Sequence, residues 1–300
     1  MKKTMPTLLV ALLLLVACGS DSKQAATANN ASPSASSAST PSAQHIVSLS
    51  ATATEMLFAI GAGKQVVAVD DQSNFPAEAP KTDLSAYTPN IEAISTYKPD
   101  LVIIGGDTKD LKAGLEKIGV KVLVQPAAIT VDDTYKEMLE LGDLTGHRAE
   151  SEKQVSSIKQ GLTDAVKDLP ARTTPLTYYY ELDNTLYTVT SKTFIGSLFT
   201  LAKLNNVADP ADANGSNGGY PQLSAEFLVQ ANPDLVFLAD TKCCQQNETT
   251  FAARPGFAGL KAATQHHEIP LDDDIASRWG PRIVDLLKAI VAAAKSVPTT

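Results

Sequence analysis

The sequence predicts an α/β protein made of two related lobes with parallel sheets, joined by one long rigid helix. Three observations carry this expectation. Strand-like and helix-like segments alternate along the chain, the order that builds parallel sheets flanked by helices. One phrase is written twice: Asn90-Ile91-Glu92-Ala93-Ile94 with Pro99-Asp100-Leu101-Val102 returns as Ser224-Ala225-Glu226-Phe227-Leu228 with Pro233-Asp234-Leu235-Val236, at a constant step of 134 positions. Between the copies, Arg148–Leu169 sets Val155, Ile158, Leu162, Ala165, Val166 and Leu169 at spacings of three and four, one apolar stripe on a polar helix. Pro170 and Pro175 bound that helix. A long helix running between two lobes acts as a strut.

The elements follow in order. Ile46–Leu49 reads as a strand, Ala53–Ile60 as a short helix stopped by Gly61 and Gly63, and Val66–Val69 as a second strand. In the first copy of the phrase Asn90 is a helix N-cap and Glu92 lies in the first turn, where the helix dipole favours an acid. Pro99 closes that helix, and Leu101–Ile104 is a strand. Lys112–Ile118 reads as helix, Val120–Val124 as strand and Asp133–Leu144 as helix. The second lobe opens with the strand Thr177–Glu181 and a helix around Phe194–Phe199. Ser224 and Glu226 then repeat the capped helix, Leu235–Leu238 and Glu268–Leu271 are strands, and Ile283–Lys295 is a closing helix.

The first 44 residues carry the address. Residues 1–17 have Lys2, Lys3 and an apolar run, Leu8–Val16, too short to span a bilayer, so they read as a cleavable export signal. Leu15-Val16-Ala17-Cys18 resembles the bacterial lipobox, which makes Cys18 the lipidated first residue of the mature chain. Residues 18–44 are then the lipidated cysteine and a tether of Ala, Ser, Thr, Asn and Pro, too polar to fold. The folded body divides into an N-terminal lobe at 45–147, the connecting helix at 148–170 and a C-terminal lobe at 171–300. Net charge is −8, and no basic patch argues for nucleic acid or for direct contact with anionic lipid. Cys243 and Cys244 are adjacent, and bridging neighbours closes a strained eight-membered ring. Two states are open to them, a vicinal disulfide or two reduced thiols.

From His45 onward the chain resembles the class III periplasmic binding proteins of ABC importers, which capture cobalamin, ferric siderophores and haem. The resemblance rests on His45-Ile46-Val47-Ser48-Leu49-Ser50-Ala51-Thr52-Ala53-Thr54-Glu55, Gly61-Ala62-Gly63, Phe75-Pro76, Pro89-Asn90-Ile91-Glu92 and Arg278-Trp279-Gly280-Pro281-Arg282-Ile283, met in that order. It implies a binding subunit and no enzyme, with no cofactor of its own because the ligand carries the metal. Its implied partners are an ABC permease with its ATPase, a small metal chelate, and the membrane through the lipid anchor alone, the protein itself a monomer on the extracytoplasmic face. It implies that Glu92 and Glu226 dock on permease arginines. It also implies ligand contacts from Phe75, Tyr87, Tyr220, Arg278 and Trp279, with Arg282 either joining them or pairing within its own lobe. Two other functions, free-metal binding and exported catalysis, make demands of their own on the residues. Free zinc or manganese needs converging histidines, and the chain has His45, His147, His266 and His267, scattered apart from the last pair. An exported enzyme would need a nucleophile elbow, a His-Glu-x-x-His helix or a phosphate loop, none of which occurs; the run Asp272-Asp273-Asp274 reads as a solvated loop.

Overall fold

The computed structural model describes residues 42–299. The export signal, Cys18 and the tether up to residue 41 lie outside the described residues. The first half of the body runs β1 (Ile46–Leu49), α1 (Ala51–Ala59), β2 (Val66–Asp70), β3 (Lys81–Leu84), α2 (Ile91–Ser95), β4 (Leu101–Ile104), α3 (Leu111–Lys117), β5 (Lys121–Val124) and α4 (Val131–Thr145). Helix α5 (Arg148–Val166) leads to β6 (Thr177–Glu181), α6 (Phe194–Leu201), β7 (Asn205–Asn206), α7 (Ala225–Ala231) and β8 (Leu235–Leu238). The chain ends with α8 (Glu248–Ala252), α9 (Lys261–Gln265), β9 (Glu268–Pro270), α10 (Asp273–Ala276) and α11 (Ile283–Ser296).

Two wholly parallel sheets result, in the orders β3-β2-β1-β4-β5 and β7-β6-β8-β9. The central strands are buried on both faces, as parallel strands covered by helices must be. Strand β3 escapes the hydrophobic pattern because its sequence, Lys-Thr-Asp-Leu, buries only Leu84 at the sheet edge. The short β7, α8, α9 and α10 escape it for want of length. Helix α5 stops at Val166, short of Leu169, since the residue before Pro170 is biased away from helical backbone.

The repeated phrase does the same mechanical work in both halves. Asn90 and Ser224 each accept a hydrogen bond from the backbone N–H three residues on, capping α2 and α7. Lys98 and Asn232 both take left-handed backbone just before the prolines. The aspartate after each proline then ties down the start of the neighbouring strand. Asp100 accepts from the N–H groups of Gln44 and His45 at 2.8 and 3.1 Å, ahead of β1. Asp234 accepts from the N–H and hydroxyl of Thr177 at 2.7 and 2.9 Å, at the start of β6.

The junction between the halves is broader than the one connecting helix. A single apolar cluster takes Met56 and Leu57 of α1 with Ile60 just after it, Met138 and Leu141 of α4, Val155, Ile158 and Leu162 of α5, and Leu286, Leu287 and Ile290 of α11. Helix α5 lies close on both neighbours because glycine lets it. A Cβ on Gly142 of α4 would meet the Ser151 hydroxyl of α5 at 2.2 Å, and one on Gly161 would meet Val284 of α11 at 2.9 Å. The far faces of the two sheets have clusters of their own, one around Val47, Val102 and Leu115, the other around Tyr179, Leu228 and Phe251.

Candidate functional site

Parallel sheets leave a crevice beyond the carboxyl ends of their strands, deepest where successive connections diverge to opposite sides. In the five-stranded sheet β1 pairs with β2 on one side and β4 on the other. A cavity of about 440 Å³ opens there. Its floor is Ser50 and Thr52 after β1, Asp70 and Gln72 at the end of β2, and Gly105 and Gly106 after β4. Tyr87 stands at one side, three-quarters exposed. The opposite wall comes from the far end of the chain: Asp274, Ser277, Arg278 and Trp279.

A buried carboxylate holds that wall in place. Glu55 on α1 is 2 % exposed and lies between two arginines of the C-terminal segment. Arg282 donates to both of its oxygens at 2.9 and 2.5 Å, and Arg278 donates to one at 2.8 Å. Arg278 also donates to Asn74 at 3.0 Å, to the carbonyl of Gln72 at 3.0 Å and to Asp274 at 2.7 Å. Asn74 in turn donates to Asp274 at 3.0 Å, and Lys242 donates to the same carboxylate at 2.7 Å. The run Asp272-Asp273-Asp274 is therefore no solvated loop. Asp272 caps α10, Asp273 receives the backbone of Lys242 and Cys243, and Asp274 joins the two halves of the chain.

Trp279 is fixed from a third direction, by α4. Its ring N–H donates to Glu137 at 2.8 Å, and its carbonyl accepts from the Thr134 hydroxyl at 2.9 Å. Burial pushes the Glu137 carboxyl up to about 7, against the lowering effect of that indole hydrogen bond. Under the floor, Ser73 donates to Asp70 at 2.5 Å, and Thr54 links Ser73 to Ser48 through contacts of 2.9 Å. Burial raises the carboxyl of Asp70 above its ordinary value as well.

Tyr87 and Trp279 thus line one cavity, together with Arg278. The two terminal nitrogens of Arg278 already donate to Glu55, Asn74, Gln72 and Asp274. The ring of Phe75 lies 4.3 Å from the Arg282 guanidinium and borders a separate notch with Phe58 and Pro281. Arg282 pairs across to α1 rather than within its own lobe. Tyr220 is about half exposed on the other half of the molecule and lies outside the residues that line the cavity. Glu92 and Glu226 sit exposed in the first turns of α2 and α7, where the Glu226 carboxyl is held below its usual range first by its own backbone N–H and then by the Ser224 hydroxyl. Cys243 and Cys244 are free thiols, their sulfurs 2.7 Å apart. Among the described residues no three His, Cys, Asp or Glu side chains are grouped to hold a metal ion, and no helix is long and apolar enough to cross a membrane.

Sequence reasoning did not single out Glu55, Asp70, Glu137 or Asp274 as site residues. Glu55 and Glu137 sit in helices where an acid ordinarily faces water, and only the fold shows them turned inward.

Residues 46–275 match the family described as periplasmic binding protein. An uncharacterised ABC transporter substrate-binding lipoprotein of Bacillus subtilis is 26% identical over 249 residues, covering 80% of this chain and 76% of that one. The solved vitamin B12-binding protein of Vibrio cholerae superposes with a TM-score of 0.70 at 26% identity, over 85% of this chain and 97% of that one. A solved protein of Staphylococcus epidermidis, described as a possible iron-binding solute-binding protein, reaches a TM-score of 0.73 at 24% identity, over 84% and 99%. At that identity the likeness speaks for the fold.

A second polar group is buried in the C-terminal half, at the carboxyl ends of β6 and β8. Arg254 donates to both oxygens of Glu181 at 2.7 and 2.6 Å, and Tyr179 donates to Glu181 at 3.3 Å. Asp240 is fully buried beside them, and neither of its oxygens has a protein partner. Burial first, then the Glu181 carboxylate, push Asp240 up to about 7, while Arg254 pulls the other way. A carboxyl that holds its proton more tightly folded than unfolded adds stability at low pH and loses it as pH rises from about 4 toward 7. Asp240→Asn keeps the shape of the protonated acid without the ionisation. Calorimetry should give this variant a higher Tm than the parent at pH 8 and an equal one at pH 4. A lower Tm at pH 8 would show that the ionised carboxylate is stabilising instead.

Proposed function

The chain belongs to the periplasmic binding protein family, and from that premise we propose that it is the substrate-binding subunit of an ABC importer, capturing an iron or cobalt chelate and passing it to a membrane permease. It binds and releases and is not an enzyme. The observation that carries the reading is the cavity between the two halves, with the rings of Tyr87 and Trp279 on its sides. Aromatic faces offer large contact area to a broad, flat ligand. The vitamin B12-binding protein of Vibrio cholerae, alike in fold and in length, supports a cobalt chelate.

The charges around the cavity narrow the choice. Arg278 is the one cation among its lining residues, and its donors already face Glu55, Asp274 and other protein acceptors. An anionic ligand such as haem, with its carboxylates, would find no uncommitted cation there. A corrinoid, whose rim is amides, fits the hydroxyls, the Gln72 side chain and the glycine backbone better. This favours cobalamin over haem and over carboxylate siderophores.

Trp279 is the only tryptophan of the chain, so its fluorescence reports on the cavity alone. Hydroxocobalamin, hemin and a ferric siderophore all absorb where indole emits. Titration with hydroxocobalamin should give saturable quenching, weakened by Tyr87→Ala and unchanged by Tyr220→Ala. Quenching by hemin alone would overturn the charge argument. Silence toward all three, with zinc raising the Tm, would return the protein to the free-metal class.

Docking and anchoring complete the reading. Glu92 and Glu226 stand at equivalent points of the repeated phrase, each on an exposed capped helix, and in this reading they meet arginines of the permease. Exposed ion pairs are individually weak and screened by salt, and they act more on encounter and register than on affinity. Glu92→Lys with Glu226→Lys should abolish uptake of labelled chelate while leaving the quenching titration unchanged, and normal uptake by the double variant would remove the docking role. The lipoprotein name of the Bacillus subtilis relative supports Cys18 as the lipid-bearing residue at the extracytoplasmic face. Mass spectrometry of the mature N terminus checks it.

A further inference from the structure

We propose that Cys243 and Cys244 form a reversible thiol–disulfide switch bolted to the C-terminal wall of the cleft. The proposal rests on the export reading, since a disulfide persists only in an oxidising compartment. The pair follows the carboxyl end of β8, the side of a parallel sheet on which ligands sit. Cys243 is exposed, Cys244 is half-buried, and the two sulfurs already face each other at 2.7 Å.

One carboxylate holds the first half of the turn that carries them, while the Asp240 carbonyl accepts from the N–H groups of Cys244 and Gln246 in the second half. Asp273 accepts from the Thr241 hydroxyl at 2.8 Å, from the Lys242 N–H at 3.0 Å and from the Cys243 N–H at 2.9 Å. The next residue, Asp274, accepts from Lys242 Nζ, from Arg278 and from Asn74 of the opposite half, and lines the cavity. A change of shape at the cysteines therefore reaches the cleft wall through two neighbouring aspartates.

Closing the ring must change that shape. Consecutive Cα atoms lie about 3.8 Å apart, below the roughly 4.4–6.8 Å that an ordinary disulfide spans, so the intervening backbone twists. The peptide inside the ring carries the Cys244 N–H, which donates to the Asp240 carbonyl at 3.2 Å, and the Cys243 N–H held by Asp273 is attached to the first ring Cα, so both bonds are disturbed when the ring closes. The oxidant is a small-molecule disulfide such as oxidised glutathione. One cysteine thiolate attacks it and expels one glutathione thiol, leaving a mixed disulfide. The neighbouring cysteine gives up its proton and displaces the second glutathione. Two protein thiols are oxidised and one glutathione disulfide is reduced. Strained, exposed bonds of this kind are the easily reduced, regulatory ones. Burial, helped by Cys244 and nearby acids, pushes the Cys243 thiol up to about 12, so closure is slow and quickens as pH rises.

The test uses the mature full-length chain in detergent, treated with oxidised glutathione and then digested. The peptide holding both cysteines should be lighter by two hydrogens, refuse iodoacetamide and recover both thiols with dithiothreitol. Cys244→Ser should instead keep one glutathione on Cys243. Hydrogen exchange should show the Cys243 and Cys244 amides losing protection in the oxidised form. Full alkylation of both cysteines after glutathione, or a mixed disulfide that never closes, overturns the switch. Equal protection of the two amides in both forms overturns its link to the cleft. Neither readout involves a chelate, so failure here is distinct from failure of the ligand assignment.

Discussion

Everything at the cleft depends on one buried carboxylate with two arginines. Glu55 belongs to the first helix of the body, and Arg278 and Arg282 belong to the segment before the last. Ion pairs taken out of water add little net stability when whole, because desolvation offsets attraction. Breaking one is another matter: removing one partner strands the rest, at about 3–5 kcal/mol. Such a pair is therefore better at specifying an arrangement than at strengthening it. Here the arrangement is the lay of residues 274–282 across the N-terminal half, which sets Trp279 and Asp274 against the floor made by β1, β2 and β4.

The same cluster explains the character of the binding site. The arginine that could have met an anion is already occupied, and the acids nearby are either paired or raised by burial. What is left facing the cavity is hydroxyl, amide, backbone and ring. The apolar cluster shared by α1, α4, α5 and α11 works in the same direction. A junction of four helices resists bending more than a pair of bare strands would.

Much of this was legible in the residues, for reasons that can be named. The repeated phrase was readable because each of its letters has a fixed local duty: cap, dipole partner, helix stop, strand tie. The strands β1, β4, β6 and β8 were readable because both their faces are buried and their sequences are unbroken apolar runs. Strand β3 was not, since a polar edge strand looks like a loop. Glu55 was not, because burial of a charge is decided by a partner more than 220 positions away, and no local pattern announces it. For the same reason the sequence could not show that the two terminal nitrogens of Arg278 already have protein acceptors. The stacking of the Phe75 ring on Arg282 was hidden in the same way.

The central claim is that the Glu55 cluster holds the two halves at one separation. Thr96 and Gln230 lie at equivalent exposed positions of the repeat, one on each half. Nitroxides at Thr96→Cys and Gln230→Cys, in a chain whose other cysteines are replaced by serine, allow their distance to be read by pulsed dipolar spectroscopy. The account predicts one narrow distribution, the same with and without hydroxocobalamin, that broadens in Glu55→Ala. A parent protein whose distribution moves to a second, separate peak when the chelate is added would contradict it.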